Sequence, residues 1–465
     1  MTDTYDVVVL GAGSTGTNVA WYARDNGLSV AVVERELVGG ECSYWACMPS
    51  KALLGPTHAL AAARRIPGAA GAVTGTVDVA AVLERRDSFI SHLDDDSQAR
   101  WLSGIGADLF RGQGRLAGER EVTVTAADGT VRRLFARRAV VVATGSRAAV
   151  PDVPGLREVR SWDNRDVTTA KEIPRRLLVL GGGVVGCEMA QAYRRLGASE
   201  VTVVQRSDRL LRGFEPWVGE MLAEAFAAEG VRVLTGRSVL LASRDTAGGP
   251  VTLRLDDGSE LVGDELLVAV GRTANTEGIG LETVGVVPEG PLDVDDQLRV
   301  RAVDGEWLYA CGDVNGRVLL THQGKYQGRL VGDIVAGKSR AAWADAAAVP
   351  QVVFTDPELA AVGLTEQQAR DAGMDVKAVS YEIGAVAGGA LLGDGIRGRA
   401  QLVIDERERV VVGATFVGPQ VGEMLHAATI AIAGKVPIDT LWHAVPAFPT
   451  VSEVWLRLLE ADRGL

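Results

Sequence analysis

One local pattern occurs twice in this chain of 465 residues, and no other feature constrains the fold as strongly. From Tyr5, YDVVVLGAGSTGTNVAWYARDNGLSVAVVER reads as a buried apolar strand, a glycine turn, a helix and a second strand ending at Glu34. From Arg176, RLLVLGGGVVGCEMAQAYRRLGASEVTVVQR repeats the plan and ends at Gln205. Each copy reads as the opening βαβ unit of a dinucleotide-binding domain. Two bound nucleotides imply electron transfer between them. The stretch from about Pro151 to Pro174, with PDVPG near its start, reads as a connection between domains. Beyond about Ala346 strands and helices continue without a glycine fingerprint, which marks a third domain with another task.

Composition excludes several classes. An apolar fraction of 47 % and a charged fraction of 23 % are those of an ordinary globular protein. A net charge of -12 repels a phosphate backbone, so no nucleic-acid or anionic-membrane partner is expected, and a small-molecule acceptor is. No apolar run is long enough to span a bilayer, and MTDTYD runs into a strand without a basic leader, so the expected location is cytoplasmic. Four cysteines are too few for a secreted disulfide framework in a chain this size. Single histidines without ligand-spaced partners argue against a metal centre.

In the first glycine turn, Gly11, Gly13 and Gly16 form GxGxxG, which brings backbone N–H groups at a helix start close to a pyrophosphate. Glu34 is placed to accept from ribose hydroxyls. The second turn has Gly181, Gly183 and Gly186, but Gln205 stands where Glu34 would, followed by Arg206, Arg209 and Arg212. A carboxylate repels a 2′-phosphate and guanidinium groups hold one, so this edge points to NADPH, with NADH possible. The alternative is that the arginines are a solvated surface cluster.

Between Gly39 and Leu54 lies GGECSYWACMPSKALL, in which Cys42 and Cys47 are separated by four residues and Cys47 stands near the start of a helix. A helix N-terminus and a neighbouring lysine both favour a thiolate, the form that attacks disulfides or donates charge to an oxidised flavin. With ATGS at 143–146, AVGRTANT at 269–276, YACGDV at 309–314 and FTDPELAAVGLTE at 354–366, the chain resembles the class I pyridine nucleotide–disulfide oxidoreductases over nearly its whole length. This is the family of dihydrolipoamide dehydrogenase, glutathione reductase and mercuric reductase. The resemblance implies an α/β fold with two Rossmann-like dinucleotide-binding domains and a C-terminal α+β dimerisation domain. Residues 1–150 and 271–345 would bind FAD, 151–270 NAD(P)H, and 346–465 would form the interface of a homodimer. It further implies that Cys47 faces the flavin and Cys42 exchanges with substrate. Lys51 would lie near the flavin N5 and pair with Glu188, and Asp313 would bind the ribitol. Thr144, Gly145 and Gly271 would belong to the cofactor-binding motifs. The C-terminal end of one subunit would reach the partner's cysteines. Without a second cysteine pair or a metal-binding leader, mercuric reductase and the large thioredoxin reductases are the less expected members.

One position departs from the pattern. Where disulfide-reducing members carry a histidine before Pro-Thr as acid/base, HAVPAFPTVSEVW has Phe448, although Glu453 remains. Phenylalanine carries no proton. His443 could serve instead or could simply pack or cap. Tyr44 and Trp45 crowd the space between the cysteines, either packing there or stacking a substrate. Three functions follow: a reductase passing electrons from NADPH through FAD and Cys42–Cys47 to a small disulfide or other electrophile; a diaphorase-like reductase of quinone, oxygen or a metal ion; and an FAD-binding redox sensor.

Overall fold

The computed structural model describes residues 2–287 and 289–465. The chain divides into two compact units. One comprises the chain up to Pro49 with Arg86–Ala149 and Arg272–Asp345. The other comprises Ser50–Arg85, Val150–Gly271 and Ala346–Leu465. Among the described residues no helix is long and apolar enough to cross a membrane.

In the first unit, Val7 to Leu10 are buried without alternation, as are Val30 to Val33 and Ala139 to Val142. Such runs belong to strands covered on both faces. Thr2–Leu10 pairs in parallel with Val30–Glu34 on one side and Val131–Val142 on the other. Asp108–Arg111 extends the sheet beyond Val30–Glu34, and Leu308–Ala310 pairs in parallel with the end of Val131–Val142. Gln113–Gly118 and Glu121–Thr125 complete an antiparallel arm. The helix Ser14–Asp25, which follows the first glycine turn, packs against Thr321–Val335. Their approach needs glycine: a Cβ on Gly328 would lie 2.7 Å from the Thr15 carbonyl oxygen and one on Gly332 2.6 Å from the Tyr22 Cβ.

In the second unit, a parallel sheet runs in the order Val231–Thr235, Glu200–Gln205, Arg176–Leu180, Glu265–Val268, with the helix Val184–Arg195 following the second glycine turn. Val239–Ser243, Val251–Leu255 and Glu260–Gly263 form an antiparallel sheet. The C-terminal part is a five-stranded antiparallel sheet. Its order is Gln351–Val353, Glu358–Gly363, Val410–Gly418, Arg399–Asp405, Val376–Glu382. Leu402 and Phe416 of this sheet share a core with Leu425 of Val421–Ala433 and Leu458 of Val454–Asp462.

This grouping differs from the sequence expectation in two respects. Residues 50–85 part from the N-terminal segment, because Leu53, Leu54 and Val82 are buried with Val179, Tyr193 and Leu359. The 151–270 and 346–465 stretches also fall in one unit. Both differences arise from long-range packing, which boundary signals in the sequence do not carry.

Candidate active site

The two glycine turns are built alike. Gly11 and Gly181 take φ of 102° and 112°, and a Cβ on either would strike a carbonyl oxygen of the neighbouring strand, that of Ala143 or Ala269. Gly16 and Gly186 are closed in by the carbonyls of Gly11 and Gly181. Only the middle glycine of each turn is open: nothing approaches a Cβ on Gly13 closer than 4.0 Å, and nothing lies within 4 Å of one on Gly183. That is the cradle a pyrophosphate needs, with backbone exposed at a helix start.

At the end of each second strand a side chain closes back on the turn. Glu34 Oε2 accepts from the Ala12 N–H at 2.7 Å. Gln205 Oε1 accepts from the Gly182 N–H at 2.8 Å. The amide thus keeps the carboxylate's structural contact while removing its charge. Its nitrogen donates to Ser207, and Arg206 and Arg212 stand exposed beyond it. Arg209 donates to the Arg212 carbonyl at 3.3 Å.

Asp313 accepts from the Ser146 hydroxyl at 2.5 Å, and Arg272 Nε lies 2.6 Å from the same hydroxyl and 3.7 Å from the carboxylate. Thr144 directs its hydroxyl to the Asn275 carbonyl at 2.7 Å, so this motif residue braces the loop with its side chain. Gly145 and Gly271 adopt φ of 70° and 147° with open space before a Cβ.

Cys42 sits in the short helix Gly40–Tyr44, and Cys47 is the first residue of the helix Cys47–Arg65. The hydrogen bond from Cys42 to Cys47, burial and the Cys47 charge push the Cys42 thiol far above the ordinary range; Thr321 and Lys325 pull the other way. The proton therefore rests on Cys42, hydrogen-bonded to Cys47, whose sulfur has the Thr321 hydroxyl at 3.3 Å. Thr321 and Lys325 lie one turn apart on the helix Thr321–Val335. Tyr44 is buried with its hydroxyl on the Val38 carbonyl at 3.1 Å, which rules out stacking on a substrate; Trp45 leans on it at 5.7 Å and stays partly exposed. Cys187 and Cys311 are wholly buried fillers.

In the second unit, Lys51 Nζ lies 2.8 Å from Glu188 Oε2, and Glu188 is buried. Lys51 is thus held by a carboxylate. At the C-terminus, Phe448 is 75 % exposed. His443 is exposed just past the turn Ile438–Leu441. Glu453 is buried, with one oxygen 2.7 Å from Arg457 and the other without a partner among the described residues.

Residues 5–328 match the family described as pyridine nucleotide-disulphide oxidoreductase, and 349–458 its dimerisation domain. The chain belongs to this family. A mercuric reductase of Staphylococcus aureus is 31 % identical over 97 % of this chain and 81 % of its own. Dihydrolipoyl dehydrogenase of Thermus scotoductus is 35 % identical over 98 % of this chain and 97 % of its own. Among solved structures, the flavoprotein disulfide reductase RclA from Escherichia coli superposes with a TM-score of 0.85 at 24 % identity, covering 98 % of this chain and 99 % of that one. LpdA from Mycobacterium tuberculosis also gives 0.85, at 25 % identity, covering 99 % of this chain and 100 % of that one. The pyridine nucleotide–disulfide oxidoreductases use FAD and a pyridine nucleotide, and the open glycine turns, Glu34 and the Ser146–Asp313–Arg272 group fit such ligands. The protein is accordingly an FAD-dependent NAD(P)H oxidoreductase of α/β fold with a dimerisation domain.

Proposed function

We propose that the protein oxidises NADPH and reduces a small electrophilic acceptor, with Cys42 and Cys47 as its redox-active pair, in a homodimer. The observation that carries this is the pairing itself: the Cys42 thiol is hydrogen-bonded to Cys47, and the Cys47 sulfur stands at a helix start with the Thr321 hydroxyl at 3.3 Å. FAD, when bound, supplies a two-electron relay between nicotinamide and sulfur. Gly13 and Glu34 would hold its pyrophosphate and ribose, Asp313 its ribitol, and Lys51 with Glu188 would serve its flavin ring. Gly183 cradles the second pyrophosphate, and Arg206 and Arg212 take the 2′-phosphate that Gln205 does not repel. With a disulfide acceptor, the Cys42 sulfur attacks one acceptor sulfur and expels the other as a thiol carrying the Cys42 proton. Cys47 then attacks Cys42 and releases the second thiolate, closing Cys42–Cys47.

A second reading draws on Phe448. An exposed ring where an acid/base is expected suits an acceptor that takes electrons without dithiol exchange, a quinone or a metal ion. The mercuric reductase among the relatives supports including metal ions.

Purified FAD-loaded enzyme, assayed with NADPH or NADH against low-molecular-weight disulfides, quinones and metal ions, tests both. The first reading expects NADPH to be preferred and Cys42→Ser to abolish disulfide turnover. Quinone turnover that survives Cys42→Ser, with no disulfide turnover in the unmodified enzyme, overturns it in favour of the second.

A further inference from the structure

Lys51 and Glu188 are held by more than each other. Glu188 gives Oε2 to Lys51 at 2.8 Å and Oε1 to the Phe354 backbone N–H at 2.9 Å, so a carboxylate that is almost fully buried has both oxygens engaged and cannot rotate. The Lys51 ammonium, in turn, lies 4.6 Å from the centroid of the Phe354 ring. Two residues further, Asp356 exchanges backbone contacts with Gln191: its N–H donates to Oε1 at 2.7 Å and its carbonyl accepts from Nε2 at 2.8 Å. Its carboxylate pairs with Arg195 at 2.8 Å and with Arg65. Glu188, Gln191 and Arg195 share one face of the helix Val184–Arg195, and Lys51 and Arg65 lie on Cys47–Arg65. Residues 354–356 therefore clasp both helices.

We propose that Phe354 is a positioning residue for the flavin chemistry of Lys51: its amide fixes the carboxylate and its ring fixes the ammonium. The inference rests on Lys51 serving the flavin edge as set out above. A lysine head on four rotatable bonds, its side chain 34 % exposed, can swing about a single oxygen. A ring face at this distance supplies a second point of attraction through its quadrupole, and that removes the swing. An aliphatic side chain of similar bulk fills the space but offers no such face, while the backbone N–H to Glu188 survives any substitution.

The test compares Phe354→Leu, Phe354→Tyr and Lys51→Met as FAD-loaded enzymes. Anaerobic stopped-flow gives the rate of flavin reduction by NADPH as a function of pH, and the oxidised flavin spectrum, FAD content and melting temperature are recorded alongside. Phe354→Leu is expected to slow flavin reduction roughly fivefold and shift the flavin band at unchanged nucleotide KM, with Phe354→Tyr restoring both. A Phe354→Leu enzyme with the rate and spectrum of the parent, while Lys51→Met is slow, overturns this proposal and leaves the site reading standing. A Lys51→Met enzyme as fast as the parent overturns the site reading itself. Should Phe354→Leu fail to fold, Phe354→Met takes its place with the same outcomes.

Discussion

At position 448 the chain presents a ring that can neither give nor take a proton, while the buried Glu453 holds one oxygen against Arg457 and leaves the other without a partner among the described residues. An imidazole introduced there restores a group that can give and take a proton, so Phe448→His should raise disulfide turnover by roughly 10²-fold, the low end of general acid–base catalysis. Quinone turnover should stay unchanged. Steady-state NADPH oxidation with each acceptor measures both, and an unaltered disulfide rate would mean that proton transfer is already supplied by another group. Single residues were legible in the sequence where their role is local. The glycines of both turns, Glu34 and the Cys42–Cys47 pair announce themselves by spacing. Thr321, Lys325 and Phe354 do not, because each meets its partner only after distant segments have packed. Tyr44 was ambiguous for the same reason: nothing near it in the chain foretells its contact with the Val38 carbonyl.

Among elements, the helix Cys47–Arg65 does the most varied work. Its first two turns carry Cys47 and Lys51, and its fourth carries His58, which faces Arg195, Asp356, Glu229 and Gln191. Burial, with Arg195 adding to it, pushes the His58 imidazole down from 6.5 to about 4. In the unfolded chain the ring takes a proton near 6.5, but in the fold only near 4. Between those values the unfolded state binds more protons, so stability falls as the pH drops through the window, by roughly 2–3 kcal/mol in all. The melting temperature of the parent should decline more steeply than that of His58→Asn as the pH is lowered from 6.5 toward 4. Equal slopes would remove His58 from the account. Nothing near His58 in the sequence marks it, since its charged neighbours stand far away in the chain. The strands and helices around the two glycine turns were legible because apolar runs and turn signals sit within thirty or so residues of each other.

For the molecule as a whole, the dimerisation domain at 349–458 predicts a mass in solution of twice the 49.0 kDa chain. Val445, 86 % exposed, lies in the segment proposed to reach the partner subunit. Sedimentation of Val445→Glu should show a shift toward monomer with disulfide turnover lost and flavin reduction kept; a stable, fully active dimer would exclude this segment from the interface. The fold class was legible at this scale because the duplicated motif forces it, whereas the grouping of segments into units depends on which apolar faces find each other. The strand Leu308–Ala310 adds a consequence for synthesis. It completes the sheet begun by Thr2–Leu10, yet it follows the entire Val150–Gly271 stretch in the chain. A ribosome must therefore release most of the polypeptide before Val131–Val142 can find this neighbour. Until then the apolar end of Val131–Val142 stays open to passing chains, and the nascent protein needs chaperone cover there until Leu308–Ala310 has emerged.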